Sequence, residues 1–191
     1  MKIDLTVPIN KRAWNKIIDR TSTDKSFNKF GHIGTHFDLM DKKFNLENFI
    51  RPGKIFDVSS IKNRDIETSD INTKEILEKD FVIFYTEHLK ENSYGTDNYF
   101  QTYPNLSKKL VKFLIKKKVS LIGIDTPGIR QAKEHREIDQ YCADNNVFIV
   151  ENLNNLDLLL KETKDREFLL YTFPINLEDV SGLPCRVIAE I

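Results

Sequence analysis

The segment Gly31 to Phe44, GHIGTHFDLMDKKF, carries His32, His36 and Asp38: two imidazoles four residues apart and a carboxylate two residues further on. These are ligand types suited to Zn²⁺, Mn²⁺ and similar divalent ions. Histidines at i and i+4 share one face of a helix, but Ile33, Gly34 and Thr35 between them include two poor helix formers, and the general-base glutamate of HExxH zinc proteases is absent. A strand or bend is expected instead. On a straight strand His32 and His36 would lie ~13 Å apart, too far for two bonds of ~2.0–2.2 Å to one ion, so shared coordination requires the chain to turn between them. Gly34 is where it can turn, because glycine reaches positive φ without steric cost. Three protein ligands leave a position open for water, the arrangement of a catalytic metal site. The same three residues in a loop can also form a hydrogen-bonded structural cluster, and the spacing alone does not separate the two readings.

The elements that must position these residues follow from the apolar pattern. Extended runs rich in Val, Ile, Phe and Tyr occur at KIDLTV, KIFDVSS, FVIFYT, VSLIGID, NVFIVEN, EFLLYTF and CRVIAEI, and the continuously apolar ones suggest strands covered on both faces. Helical patterns lie between them at TKEILEKD, LSKKLVKFLIKKK, AKEHREIDQYCADN and NNLDLLLKET. In the second of these Leu106, Leu110 and Leu114 form one stripe and Ser107 is a candidate N-cap. Strands and helices alternate from about residue 73 to 170, which favours an α/β domain with parallel pairs. From Met1 to Asp70 the short pieces broken by PIN, TSTDK and RPGK fit antiparallel strands and loops better. The expectation is one mixed α/β domain over residues 1–191, with an antiparallel N-terminal part and a βα-alternating C-terminal part.

Lys plus Arg and Asp plus Glu both number 29, so net charge recruits neither nucleic acid nor an anionic membrane, and the run Lys116 to Lys118 reads as a solvated helix end. The opening MKIDLTVPINKRAW lacks the apolar core of a signal peptide, and no stretch approaches the ~20 apolar residues of a membrane span, so a soluble cytoplasmic protein is expected. Cys142 and Cys185 lie far apart and outside CxxC spacing, which supports neither a disulfide framework nor a thiolate zinc site.

HIGTHFD resembles the HxGTHxD signature of the cyclase family, which contains bacterial kynurenine formamidases and isatin hydrolases. The likeness continues in family order through FYTEHLKENSYGTDNYF with YPNLS, LIGIDTPGI, FIVENLNNLDLL and SGLPCRVIAEI. The resemblance implies a swivelling β/β/α fold, metal-dependent hydrolysis of amides or lactams, and a homodimer or homotetramer. It places His32, His36 and Asp38 on the family's metal ligands and Glu151 on its second-metal ligand or acid/base carboxylate. Two positions depart. The family's proton-handling histidine, four residues after its aspartate, is Lys42 here, and the proline before it is Met40. The family's histidine ligand twelve residues before the glutamate is Asp139.

Asp139 is a credible replacement ligand that would shift preference toward harder ions such as Mn²⁺, and on a helix His135 lies one turn earlier on the same face. An ammonium of ordinary pKa is a poor base at neutral pH, so Lys42 serves only if burial depresses it, and His135 and Glu151 are the available substitutes. His88 and Glu87 near the family's TG position, and Trp14, Phe37 and Tyr85 as an aromatic wall, are further pocket candidates, with core packing or surface exposure as their ordinary fate. The expectation is a small-molecule hydrolase with Zn²⁺ or Mn²⁺, arylformamidase-like; the alternative is a metal-retaining member that binds a small molecule without turning it over.

Overall fold

The computed structural model describes residues 1–11, 13–15, 30–131, 133–164 and 166–191. Its strands are β1 (Lys2–Asp4), β2 (His36–Asp38), β3 (Ile50–Asp57), β4 (Phe81–Tyr85), β5 (Leu121–Ile124), β6 (Phe148–Glu151), β7 (Leu169–Pro174) and β8 (Gly182–Glu190). Its longer helices are α1 (His88–Glu91), α2 (Asp97–Gln101), α3 (Lys108–Lys116), α4 (His135–Asp144) and α5 (Leu156–Thr163). Each of the seven extended runs read from the sequence becomes a strand. The TSTDK break at residues 21–25 lies outside the described residues.

Pairing runs β8-β2-β6-β5-β4-β3-β7 and returns from β7 to β8, so seven strands close on themselves, with β1 added along β8. Two long strands make the closure. Residues 182–184 of β8 pair with β2 and residues 185–190 with β7, while β3 pairs with β7 through residues 50–52 and with β4 from Gly53 onward. The β3–β4 pair is parallel, so the parallel part begins earlier than the helical patterns imply. TKEILEKD explains the difference: it forms only a 3-10 turn at Thr73–Glu75, capped by the Asn72 side chain, and Lys79 adopts φ 69°. One turn of helix fixes several dihedrals for a single hydrogen bond, so a short segment with local competitors does not propagate.

Alternation along the strands sorts the core. Phe81, Ile83 and Tyr85 of β4 face the interior of the ring with Phe37, Val150 and Leu183, whereas Val82 and Phe84 face the helices with Ile122, Ile149 and Leu110. Both faces are buried, as continuous apolar strands require. Helix α3 lays Leu110 and Leu114, both fully buried, on the outer face, and Ser107 accepts from the Leu110 amide at 3.1 Å as its N-cap; Leu106, also fully buried, precedes the cap and bridges to Ile66 instead of belonging to the helix. No described helix is long and apolar enough to cross a membrane.

Candidate metal centre

Strand β2 lies between β6 and β8, with His36 opposite Glu151 and Asp38 opposite Gly182. His36 and Asp38, two apart, therefore point to one face, and Glu151 meets His36 across the strand pair. Gly34 has φ +64°, so the chain bends where the spacing argument requires and brings His32 back onto His36. Helix α4 adds His135 and Asp139 from one face of its first turns.

Six side chains meet. His32 Nδ1 lies 3.1 Å from His36 Nε2 and 3.0 Å from Asp38 Oδ1. His36 Nε2 lies 3.5 Å from Asp38 Oδ1 and 3.4 Å from Glu151 Oε2. His135 Nε2 is 2.9 Å from both Asp139 Oδ2 and Glu151 Oε1. The His36 Nδ1–H donates to the Gly34 carbonyl at 2.9 Å, which fixes the tautomer and leaves Nε2 with its lone pair toward the cluster. His32 uses the other edge: its Nε2 is 2.8 Å from Ser181 Oγ, leaving Nδ1 inward.

Asp38, Asp139 and Glu151 are each at most 3% exposed. Burial would push Asp38 up, but His36 and His32 overcome it and hold its carboxyl well below the usual range. Burial pushes Asp139 up to about 6, with the Asp38 charge adding and His135 opposing. Burial and then the Asp38 charge drive Glu151 well above the ordinary carboxylate value. Burial would lower His135, but its bonds to Asp139 and Glu151 outweigh that and raise it to about 11. Three carboxylates packed this closely away from water require cationic compensation. Asp38 Oδ2 and Asp139 Oδ1 are buried without a hydrogen-bond partner. Donor atoms of His32, His36 and Asp38, and of Asp38, His135, Asp139 and Glu151, gather within 4.8 Å in each group. Orphaned oxygens, converging donors and excess buried negative charge fit a divalent cation.

The cluster forms the floor of a cavity of about 860 Å³. Residues 3–131 of the sequence match the Cyclase family model, described as "Putative cyclase". The chain belongs to the cyclase family. A kynurenine formamidase from Bacillus cytotoxicus is 27% identical over 172 residues, covering 82% of this chain and 75% of the relative. Isatin hydrolase A from Ralstonia solanacearum superposes with a TM-score of 0.70 at 21% identity, covering 83% of this chain and 72% of that one. Isatin hydrolase A from Labrenzia aggregata, bound to benzyl benzoate, gives 0.73 at 16% identity over 99% of this chain and 93% of that one.

The structure brings together His32, His36, Asp38, His135, Asp139 and Glu151, but not Lys42. Met40 at φ 58° turns the chain, and the Lys42 ammonium pairs with Asp144 at 2.7 Å and Asp41 at 3.0 Å. Those hydrogen bonds raise its pKa, the reverse of what a lysine base needs. Phe37 and Tyr85 lie in the core and Trp14 edges onto Phe30. His88 is buried with its Nε2 2.9 Å from the Tyr99 carbonyl. The aromatic cavity wall is instead Tyr94, Phe100 and Tyr103, from the tyrosine-rich SYGTDNYFQTYP.

Sequence reasoning also passed over Asn152. Its Nδ2 donates to the Gly34 carbonyl at 2.8 Å, its Oδ1 accepts from Tyr99 at 2.6 Å, and its carbonyl accepts from Thr35 Oγ1 at 2.7 Å. It adopts φ 58°, a conformation asparagine tolerates better than most residues, so the residue after Glu151 is shaped to hold the bend of the histidine segment. The signal was the asparagine directly following the glutamate.

Proposed function

We propose that the chain is a metal-dependent hydrolase of a small amide, formamide or cyclic amide, nearest to an arylformamidase. The observation that carries this reading is the convergence of three histidines and three buried carboxylates, two of them with an unpartnered oxygen, at the floor of one cavity. His32 through Nδ1, His36 through Nε2, and Asp38, Asp139 and Glu151 through their carboxylates hold the ion. When bound, a divalent ion supplies Lewis acidity, lowering the pKa of a coordinated water and polarising the substrate carbonyl.

The remaining work falls to the chain's own groups. His135 Nε2, held as the imidazolium by Asp139 and Glu151 at 2.9 Å, is placed to give a proton to the leaving nitrogen, while the Glu151 carboxylate is the group placed to accept one from the attacking water. Asp139 orients that imidazole from one turn along α4. Lys42 has no part in the reaction in this reading, because its ammonium is engaged by Asp41 and Asp144. Two imidazoles and three carboxylates are an oxygen-rich set, which leans toward Mn²⁺ over Zn²⁺ relative to a site with a third histidine ligand. The setting is cytoplasmic, as a homodimer or homotetramer; exposed Ile50, Leu169, Phe173 and Ile175 beside one another in sequence and pairing support a self-contact.

The rival reading, a metal-retaining protein that binds without turnover, draws on the outward position of Lys42. A panel of aryl formamides and lactams, assayed with Mn²⁺ and Zn²⁺ added separately, decides. Metal-dependent turnover of a member supports the hydrolase, and metal retention without turnover of any member supports the binder.

A further inference from the structure

The cavity is much larger than the group it would hydrolyse. At about 860 Å³ it lies in the range that encloses a whole drug-sized ligand, so the substrate brings a substantial body with its amide. Tyr94, Phe100 and Tyr103 give that body an aromatic wall. The wall is fixed in place. Tyr94 OH accepts the Gly34 amide at 2.7 Å, Tyr103 OH donates to the Arg130 carbonyl at 3.0 Å, and Gln131 Nε2 donates to the Tyr103 carbonyl at 2.8 Å. The Phe100 ring meets that of Tyr94 at 6.0 Å and 66°, yet remains 47% exposed, an apolar surface that a bound ring would cover.

The charges around the cavity single out one residue. The six side chains of the cluster contact one another, and Asp41 is tied to Gln140 at 2.7 Å and to Lys42 at 3.0 Å. Arg136 also lines the cavity, and of its charged residues it alone has no hydrogen-bond or ion-pair partner among the described residues. It precedes Asp139 by three residues and Gln140 by four on α4, so these side chains share the helix face turned to the cavity. Arg130, whose carbonyl holds Tyr103, does not line the cavity and is committed to Asp65 and Glu134. A planar guanidinium left open beside an aromatic wall is suited to receive a carboxylate in bidentate geometry.

We infer that the substrate is an aromatic amide or formamide whose ring carries a carboxylate, with the ring against Tyr94, Phe100 and Tyr103 and the carboxylate on Arg136. The inference rests on the hydrolase reading above, and its test separates the two. Ortho-, meta- and para-formamidobenzoate are compared with uncharged formanilide on the metal-loaded protein, as wild type, Arg136→Gln and Arg136→Lys. The best carboxylated substrate exceeds formanilide by about 10-fold in kcat/KM in the wild type, the low end of a charge-assisted bond because the site is open to solvent. Arg136→Gln collapses that ratio through KM, Arg136→Lys restores part of it, and added salt shrinks it. An unchanged ratio in Arg136→Gln, or no preference in the wild type, overturns the inference and leaves the hydrolase reading standing. If no substrate is turned over, the hydrolase reading falls, and calorimetric binding of the three aminobenzoates against aniline decides the inference. Charge-selective binding lost in Arg136→Gln supports it, and unselective or absent binding overturns it.

Discussion

Gly182→Ala tests how tightly the fold holds the metal centre. Gly182 begins β8 opposite Asp38, and a methyl on it would lie 2.8 Å from the Gly31 carbonyl oxygen, 2.8 Å from His32 Cε1 and 2.9 Å from His32 Nδ1. Carbon contacts are comfortable at ~3.5–4.0 Å, so the overlap is roughly 0.7 Å on two sides at once. Gly182 does not occupy the left-handed region, so alanine suits its backbone and the cost is steric alone. The Gly31 carbonyl is main chain, leaving the His32 ring to move. That motion breaks its 3.0 Å contact with Asp38 and its 2.8 Å bond with Ser181. Overpacking of this kind costs ~1–3 kcal/mol, and displacing a ligand or its support weakens metal binding by ~10–100-fold. Thermal melting of the metal-free protein reads the first effect, and chelator-competition titration reads the second. In a His32→Ala background the freed space should absorb the methyl, so the melting penalty of Gly182→Ala shrinks. Wild-type metal affinity in Gly182→Ala would refute the placement of His32 as a ligand.

Other outcomes follow from the same geometry. His36→Ala should abolish stoichiometric divalent-metal binding while the metal-free chain keeps its secondary structure by circular dichroism; retained metal removes His36 from the ligand set. Asp139→His should move metal preference toward Zn²⁺ and Asp139→Asn should weaken binding, whereas identical titrations of wild type and both variants mean that Asp139 is no ligand. Asp125, buried after β5 with its Oδ1 accepting from Thr86 N and Oγ1 at 2.9 and 2.6 Å, is pushed by burial up to about 6. Its raised value means that its contribution is fully present below the unfolded carboxylate value and is lost as pH rises through about 6. Asp125→Asn mimics the neutral acid, so its melting curve should match wild type near pH ~4 and exceed it near pH ~8 by up to ~3 kcal/mol. Parallel curves at both pH values would contradict that.

What the sequence disclosed and what it withheld divide along physical lines. The bend at Gly34 was legible because only one residue between the histidines reaches φ +64° cheaply, and the buried face of α3 because Leu110 and Leu114 repeat at helical spacing behind the Ser107 cap. Closure of the strands into a ring was not, since the β7–β8 and β3–β7 pairings join residues far apart in sequence and leave no local pattern. Lys42 misled for a related reason. Its position four residues after Asp38 suggests a seat in the site, but the turn at Met40 sends its ammonium to Asp144 on α4. His135 stands in a charged stretch whose ordinary fate is helix surface; its helical spacing from Asp139 made it a candidate, and its bonds to Asp139 and Glu151 seat it in the centre. Gly128, at φ +151°, helps make the room, because a methyl there would meet His135 Cε1 at 2.8 Å.

As proposed, this cluster is a divalent-metal centre that hydrolyses an amide. The most direct measurement is formate release from an aryl formamide by chelator-treated protein, titrated with Mn²⁺ and separately with Zn²⁺ while bound metal is quantified on the same samples. No release is expected without metal, then a rate that rises in proportion to metal bound and levels off when the site is filled, and no such rise in Asp38→Asn. Release that is independent of bound metal, or full metal occupancy by both ions with no release, contradicts it.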